Sequence, residues 1–139
     1  MNDLVLVDTD VLSGYFGRNR SIQDEPEVLH LDLLLAMDAV RVTGHVFQEV
    51  LNGIGRAQVG THRKIKNRLK ECVFVPSRED YDLAVEFSRK CTALGKTLSI
   101  TDLMNCAVAA SKGWKILSLD GDYKAGTDCD SRVRLLKIE

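Results

Sequence analysis

Two pairs of aspartates follow apolar segments with the same spacing. Asp8 and Asp10 come directly after one apolar run, and Asp120 and Asp122 follow a second one. A continuous apolar run is typical of a strand buried in a parallel sheet, which places the first aspartate of each pair at a strand's carboxyl end. Like charges so close raise each other's pKa unless a cation is present, and a bound divalent metal is one such cation. Alternatively, Asp8 or Asp10 only caps the following helix.

Two further acidic residues are predicted near helix N-termini. Glu49 falls in the early turns of a helix predicted over about 45–57, and Asp102 is predicted as the first residue of a helix that Thr101 caps. Taken singly, each could be an exposed acid stabilised by the helix dipole. In a right-handed parallel sheet, however, both helix starts and both strand ends fall on one edge. Four carboxylates in one crevice form the oxygen-rich pocket that Mg²⁺ or Mn²⁺ requires.

The elements that position these acids alternate along the chain. Apolar segments typical of strands alternate with helical patterns, which is the signature of an α/β fold. Pro26 suits the first turn of a helix, Gly44 a turn and Gly95 the position after a helix end. A polar loop is predicted over 17–24. The predicted strands are 4–7, 40–43, 72–75, 115–119 and 133–137, and the predicted helices are 11–16, 26–37, 45–57, 61–70, 80–94 and 102–112.

Length and composition are those of an ordinary globular protein. The 139 residues predict a single domain over 1–139, with 45% hydrophobic and 28% charged residues and a net charge of −1. The longest near-apolar segment is too short for a membrane span and no secretory leader is evident, so we expect a cytoplasmic protein. The four cysteines lack metal-site spacing and are predicted to be reduced and structural.

Positive charge is concentrated in the segment 61–70. Ile65 and Leu69 are spaced to anchor one helix face, which leaves the cations outward. A charged helix face of this kind often has no binding role and is simply exposed to solvent. Because this segment carries one sign of charge, contact with the phosphates of RNA is the alternative hypothesis. The candidate RNA-binding residues are Arg56, Arg63, Lys64, Lys66 and Arg68.

The helix predicted over 26–37 carries more apolar residues than one contact with the sheet uses. Surplus exposed apolar area usually marks an interface, so a protein partner is predicted here. The alternative is that Leu31, Leu34 and Leu35 are all buried within the chain. The apolar residues are Val28, Leu29, Leu31, Leu33, Leu34, Leu35 and Met37.

Four segments, taken in order and spacing, resemble the PIN-domain ribonucleases, and among them the toxins of VapBC-type toxin–antitoxin pairs. Each segment is weak evidence alone, and the ordered set is specific. The matching segments are 7–12 (Val-Asp-Thr-Asp-Val-Leu), 46–54 (Val-Phe-Gln-Glu-Val-Leu-Asn-Gly-Ile), 100–107 (Ile-Thr-Asp-Leu-Met-Asn-Cys-Ala) and 117–123 (Leu-Ser-Leu-Asp-Gly-Asp-Tyr).

This resemblance implies a three-layer α/β/α domain with a central parallel sheet. It also implies a catalytic set of Asp8, Glu49, Asp102 and Asp120, in which the three aspartates hold Mg²⁺ or Mn²⁺. The implied reaction is metal-dependent endonucleolytic cleavage of RNA that leaves a 5′-phosphate. The implied partner is a small antitoxin, which lays an extended segment or a helix into an apolar groove and reaches the acidic site with a cation. A homodimer is also predicted.

This chain departs from the family pattern at several positions. Asp10 stands where the family often has Ser or Asn, Ser118 where it has Thr, and Tyr123 where it often has Phe. Ser118 keeps a hydroxyl, so that change is mild. Whether Asp10 or Asp122 joins the metal site stays open. The auxiliary set is therefore Thr9, Asp10, Ser118 and Asp122.

Two other functions are compatible with parts of the sequence. The segment 8–12 also resembles the first motif of haloacid-dehalogenase-type phosphatases, in which Asp8 would be the nucleophile and Asp10 a general acid/base. That hypothesis leaves Glu49 and Asp102 without a role. The third possibility is a PIN-like domain that only binds a partner, against which the complete acidic set argues.

Overall fold

The centre of the fold is a parallel sheet of five strands, seen in a computed structural model that describes residues 3–17 and 20–138. The strands are β1 (Val5–Val7), β2 (Val40–Thr43), β3 (Val73–Phe74), β4 (Lys115–Leu117) and β5 (Arg134–Leu135). Across the sheet their order is β3-β2-β1-β4-β5, and every neighbouring pair is parallel. The direction of chain progression therefore reverses between β1 and β4, where open α/β sheets leave a crevice at their carboxyl edge.

Helices cover both faces of the sheet. Val5 and Val7 of β1 belong to one apolar cluster and Leu6 to another, because successive strand residues point to opposite faces. The first cluster buries residues of the first four helices below, and the second buries residues of the last three. This arrangement confirms the predicted three-layer α/β/α fold. The helices are α1 (Thr9–Tyr15), α2 (Pro26–Ala36), α3 (Gly44–Asn52), α4 (Val59–Leu69), α5 (Arg78–Ala93), α6 (Ile100–Lys112) and α7 (Tyr123–Cys129).

Helix α2 divides its apolar residues between the core and the surface. It begins at Pro26, as predicted. Leu31, Leu34 and Leu35 are all buried, which confirms the alternative that these three lie within the core of the chain. The surplus consists of other residues, spaced four apart along one stripe: Leu29, Leu33 and Met37, which are 62%, 53% and 60% exposed.

Several predicted boundaries are wrong for local reasons. Gly44 is not a turn but the first residue of α3, because the Thr43 hydroxyl caps the helix by accepting a hydrogen bond from the Val46 N–H. That helix ends at Asn52, well before residue 57, with Gly53 at its C-terminus. Helix α5 begins two residues earlier than predicted because Ser77 and Asp80 form a reciprocal capping box.

The strands are shorter than their apolar segments. β4 ends at Leu117 rather than at residue 119, because the Leu119 N–H donates to the Asp10 carboxylate instead of continuing a strand ladder. β3 covers two of the four predicted residues, since Cys72 belongs to a short 3₁₀ turn, and β5 covers two of the predicted five. The predicted loop 17–24 contains a 3₁₀ turn over Arg20–Ile22, and residues 18 and 19 lie outside the described residues.

Candidate active site

An acidic cavity of about 570 Å³ lies at the carboxyl edge of the sheet, where the strand order reverses. All four residues predicted as catalytic line it, which the strand-end argument predicted. None of the lining residues is a lysine or an arginine. The lining consists of Asp8, Thr9, Asp10, Glu49, Ser99, Thr101, Asp102, Asp120 and Asp122.

Asp8 is the most buried carboxylate of the cavity, at 8% exposed. It follows β1 directly and occupies the N-cap position of α1, but its side chain makes no capping hydrogen bond. The Ser118 hydroxyl donates to its Oδ2 at 3.1 Å. Burial, reinforced by the charges of Asp10 and Asp102, raises the pKa of Asp8 to about 7, against the opposing hydrogen bonds from the Thr9 N–H and Ser118. The position therefore favours either a proton or a nearby cation.

Asp10 makes structural hydrogen bonds with both of its oxygens. Oδ1 accepts from the Val11 N–H at 2.7 Å, and Oδ2 accepts from the Leu119 N–H at 3.1 Å. The Ser118 hydroxyl lies 3.3 Å from Oδ2. Burial raises the pKa of Asp10 although these bonds lower it. Asp10 thus ties the turn after β1 to the chain segment after β4.

Asp102 reaches the cavity from the first turn of α6. The predicted cap was wrong by two residues: α6 begins at Ile100, and the Ser99 hydroxyl is the N-cap, accepting from the Asp102 N–H at 3.1 Å. Thr101 instead lines the cavity. Burial is the main cause of the raised pKa of Asp102, with contributions from the charges of Asp120 and Asp122, while the hydrogen bonds from Tyr123 and Ser99 lower it.

Asp102, Asp120 and Asp122 form a compact carboxylate group. One carboxylate oxygen from each lies within 4.8 Å of the other two. The segment after β4 is bent to allow this, because the Asp120 N–H donates to the Ser118 hydroxyl and the Asp122 N–H donates to Asp120 Oδ1. Asp122 therefore lies beside Asp102 and Asp120, two of the residues predicted to bind metal.

Glu49 enters from α3 on the other side of the cavity. Its Oε2 accepts a hydrogen bond from the Thr9 hydroxyl at 2.9 Å. Thr9 therefore positions Glu49 relative to the aspartates.

A buried polar network beneath the cavity was not predicted from the sequence. Asn105 Nδ2 donates to the Tyr123 hydroxyl at 2.8 Å and lies 3.5 Å from Asp8 Oδ1, and its Oδ1 accepts from the Thr43 hydroxyl at 3.0 Å. Asn105, Tyr123 and Thr43 are each at most 1% exposed. The available signal was Asn105 itself, a polar residue in an otherwise apolar run, one helical turn after Asp102.

The predicted RNA-binding cations lie outside the cavity lining. Arg56 is in the loop after α3, and the others are on α4 with exposed side chains. Arg68 lies beside the Tyr15 hydroxyl, which also donates to Asp32 at 2.6 Å, so it contacts the α1–α2 surface.

The donor set of the cavity fits a divalent metal ion. Hard cations such as Mg²⁺ and Mn²⁺ prefer carboxylate oxygens and water, and Asp102, Asp120 and Asp122 offer three oxygens within a few ångströms of one another. The raised pKa values of Asp8 and Asp102 come partly from neighbouring carboxylates, and a cation would relieve this repulsion.

The fold and the cavity together define a class: three-layer α/β/α proteins with an acidic crevice at the switch point of a parallel sheet. The sequence profile of the PIN domain matches residues 5–126, and the chain belongs to this family. PIN domains are typically nucleases. A comparison with curated proteins found no match.

Solved structures with the same fold match nearly the whole chain. FitAcB from Neisseria gonorrhoeae has a TM-score of 0.73 at 14% identity, covering 96% of this chain and 97% of that one. FitAB bound to an IR36 DNA fragment has a TM-score of 0.78 at 18% identity, with coverage of 96% and 94%. VapBC2 from Rickettsia felis, bound to a DNA fragment from its promoter, has a TM-score of 0.72 at 11% identity, with coverage of 98% and 99%.

Proposed function

We propose that this PIN domain is a metal-dependent endoribonuclease and the toxin of a toxin–antitoxin pair. The observation that carries the proposal is the convergence of Asp8, Glu49, Asp102 and Asp120 on one cavity whose lining holds no lysine or arginine. The solved structures with this fold include FitAB and VapBC2, which favour a toxin with a small antitoxin. The site of action we propose is the cytoplasm.

Each residue of the cavity has a separate task in this proposal. Asp8, Asp102 and Asp120, together with Asp122, would hold Mg²⁺ or Mn²⁺. When bound, such an ion polarises the scissile phosphate and lowers the pKa of a coordinated water. Glu49, held by the Thr9 hydroxyl, accepts a hydrogen bond from the attacking water and orients it for in-line displacement.

The residues beneath the cavity keep its geometry fixed. Asn105 and Ser118 hold the two oxygens of Asp8, and the Tyr123 hydroxyl connects Asn105 with Asp102.

Breakage of the P–O bond by the attacking water leaves a 5′-phosphate, the product that the family resemblance implies. We assign contact with the RNA backbone to Arg56, Arg63, Lys64, Lys66 and Arg68, because phosphate contacts need positive charge but no base recognition.

The antitoxin would occupy the surface along α1 and α2. A groove of about 450 Å³ is lined there by Tyr15, Val28, Leu29 and Asp32 among others, and the stripe of Leu29, Leu33 and Met37 continues it. Helix α1 connects the groove with the acidic cavity over about 10 Å, the length of its seven residues. A bound segment that follows α1 would bring a basic side chain, best an arginine, to the carboxylates.

A second copy of the chain would cover a different apolar face. Tyr81 and Val85 on α5 and Ile100 at the start of α6 are 49%, 56% and 82% exposed around a largely apolar hollow of about 310 Å³. Val85→Lys should convert a dimer into a monomer in light scattering without loss of helical content. A wild-type protein that stays monomeric at high concentration would contradict the dimer and leave the nuclease proposal intact.

RNA cleavage with and without metal tests the central proposal. We expect cleavage of RNA with Mg²⁺ or Mn²⁺, loss of cleavage in EDTA, and no hydrolysis of a small phosphomonoester. Phosphomonoester hydrolysis would support the phosphatase alternative, and neither activity would support a binding domain. The phosphatase alternative needs Asp10 as a general acid/base, whereas the Asp10 carboxylate accepts hydrogen bonds from two backbone N–H groups that hold the turns after β1 and β4.

Sequencing of RNA ends after expression in a bacterial host would identify the substrate. The matched control is Asp8→Asn, which keeps the shape of the side chain and removes its charge. A shared new 5′ end that appears only with the wild type would define the cleavage position. The same ends with both proteins would contradict the assignment.

A further inference from the structure

The second apolar cluster includes a contact between α5 and α7 that the proposed nuclease chemistry does not use. The end of α5 and the turn after it face the end of α7 through two ion pairs. Lys90 Nζ lies 2.8 Å from Asp130 Oδ2, and Lys96 Nζ lies 3.0 Å from Asp128 Oδ2. We call this contact the α5–α7 seam and define it by Lys90, Cys91, Lys96, Asp128, Cys129 and Asp130.

Between these ion pairs the seam brings two thiols together. The Sγ atoms of Cys129 and Cys91 lie 2.6 Å apart, although the residues are 38 positions apart in sequence. A disulfide bond measures about 2.05 Å, so the two sulfurs need to approach by only about half an ångström to bond. Both cysteines are free thiols in the structure. Thiols this close, held from both sides by ion pairs, are placed for covalent bonding.

The two thiols differ in access. Cys129 is partly exposed and Cys91 is 1% exposed. Burial and the adjacent Cys129 sulfur raise the pKa of Cys91 to about 11, and the Lys96 charge opposes this rise. Cys129 is therefore the thiol that an external reagent meets first, and Cys91 acts second, at close range.

We propose that Cys91 and Cys129 form a reversible intramolecular disulfide by exchange with a low-molecular-weight disulfide such as oxidised glutathione. The Cys129 thiolate attacks one sulfur of the reagent, which breaks its S–S bond and releases one reduced thiol. The Cys91 thiolate then attacks Cys129 Sγ and releases the second thiol. Both cysteine thiols lose their protons, the protein is oxidised by two electrons, and the reagent is reduced to two thiols.

The bond would stabilise the side of the molecule that carries part of the acidic cavity. Helix α7 ends at Cys129 and begins at Tyr123, whose buried hydroxyl bonds to Asn105 beside Asp8. A link from α7 to α5 closes a long loop of chain and reduces the freedom of the unfolded state. The expected result is a protein more resistant to unfolding with its cavity geometry unchanged.

Peptide mapping after oxidation tests the proposal, because trypsin places each cysteine on its own peptide. The protein is equilibrated with oxidised glutathione, alkylated, digested and analysed without reduction. We expect a cross-link between peptides 91–96 and 125–132, with the cysteines of peptides 71–78 and 97–112 alkylated. The melting temperature should rise by several degrees and return to its starting value after reduction.

Two variants separate this bond from a general effect of oxidation. Cys129→Ser should lose both the cross-link and the rise in melting temperature, whereas Cys72→Ser, in the other apolar cluster, should keep both. Four alkylated cysteines in the oxidised wild type would overturn the proposal. So would a cross-link to Cys106, which packs below α7 against Gly126, or a link between two molecules. None of these outcomes depends on nuclease activity.

Discussion

Aspartate side chains lie in opposite electrostatic environments in the acidic cavity and in the α5–α7 seam. In the cavity, Asp8 is buried and Asp102 half-buried beside other carboxylates, and the pKa values of both are raised. In the seam, hydrogen bonds from Arg132 and Lys90 hold the pKa of Asp130 well below its usual range, and Lys96 lowers that of Asp128. The cavity therefore contains repulsion between carboxylates that a bound ligand can relieve, whereas the carboxylates of the seam are already paired with cations of the same chain.

This difference distinguishes a region that stabilises the folded chain from the region to which we assign the function. Paired carboxylates in the seam stabilise the folded chain when they are charged. The clustered carboxylates of the cavity destabilise it when charged, and a bound proton or cation would relieve that cost.

Asp102→Asn should have the largest effect, because it removes one oxygen ligand from the compact carboxylate group. We expect metal-dependent RNA cleavage to fall by about 100-fold or more, in line with the loss of a catalytic metal ligand. Single-turnover cleavage assays in Mn²⁺ measure the effect. Asp128→Asn is the matched control, since it changes a paired aspartate of the seam. An active Asp102→Asn protein would remove Asp102 from the site.

Asp8→Asn should stabilise the protein in the absence of divalent metal. The pKa of Asp8 is raised to about 7 in the folded state, so the folded protein holds a proton that the unfolded chain releases. Its contribution to stability therefore decreases as pH rises from about 4 to about 7, by a few kcal/mol at most. We expect the variant to melt higher at pH 8 in EDTA and to show a flatter dependence on pH.

Calorimetry over pH 4 to pH 8 would check this expectation, at about one-unit steps across the window in which the proton is released. Added Mn²⁺ should stabilise the wild type more than Asp8→Asn. An unchanged pH profile in the variant would show that Asp8 is not the group that titrates.

Much of the fold followed from the sequence because apolar patterning determines it. The five strands, their parallel arrangement and the aspartates that follow β1 and β4 were predictable from short apolar runs. The helix starts were less accurate, since a single side chain decides them. Ser99 rather than Thr101 caps α6, and Ser77 caps α5, which therefore begins at Arg78 rather than at Asp80. Local propensity does not distinguish such neighbours.

The positioning network and the seam could not be predicted because they join residues far apart in sequence. Asn105 bonds to Thr43 and Tyr123 across three elements, and Cys91 meets Cys129 only after α5 and α7 have packed. The same limit applies to Asp122, whose place beside Asp102 depends on the turn after β4.

Asp130→Asn should destabilise the protein by about 1–2 kcal/mol at pH 7, because it weakens the hydrogen bonds of a buried carboxylate to Arg132 and Lys90. The folded pKa of Asp130 is lowered, so its stabilising effect is present above about pH 4 and is lost as pH falls further. Urea unfolding at pH 7 and at pH 3 measures the destabilisation and its loss at low pH. The difference between variant and wild type should shrink at pH 3, and RNA cleavage at pH 7 should be unchanged.

Among the cavity variants, Asp10→Ser should have the smallest effect on cleavage, and it tests where the metal site ends. Asp10 lines the cavity, yet both of its oxygens accept backbone N–H hydrogen bonds that hold the turns after β1 and β4. We therefore expect less than a tenfold loss of metal-dependent cleavage, with a lower melting temperature because the Leu119 N–H loses its acceptor. Asp10→Asn, which keeps one carbonyl oxygen in place, should melt closer to the wild type. If both variants were as inactive as Asp102→Asn while remaining folded, Asp10 would have to be counted among the metal ligands.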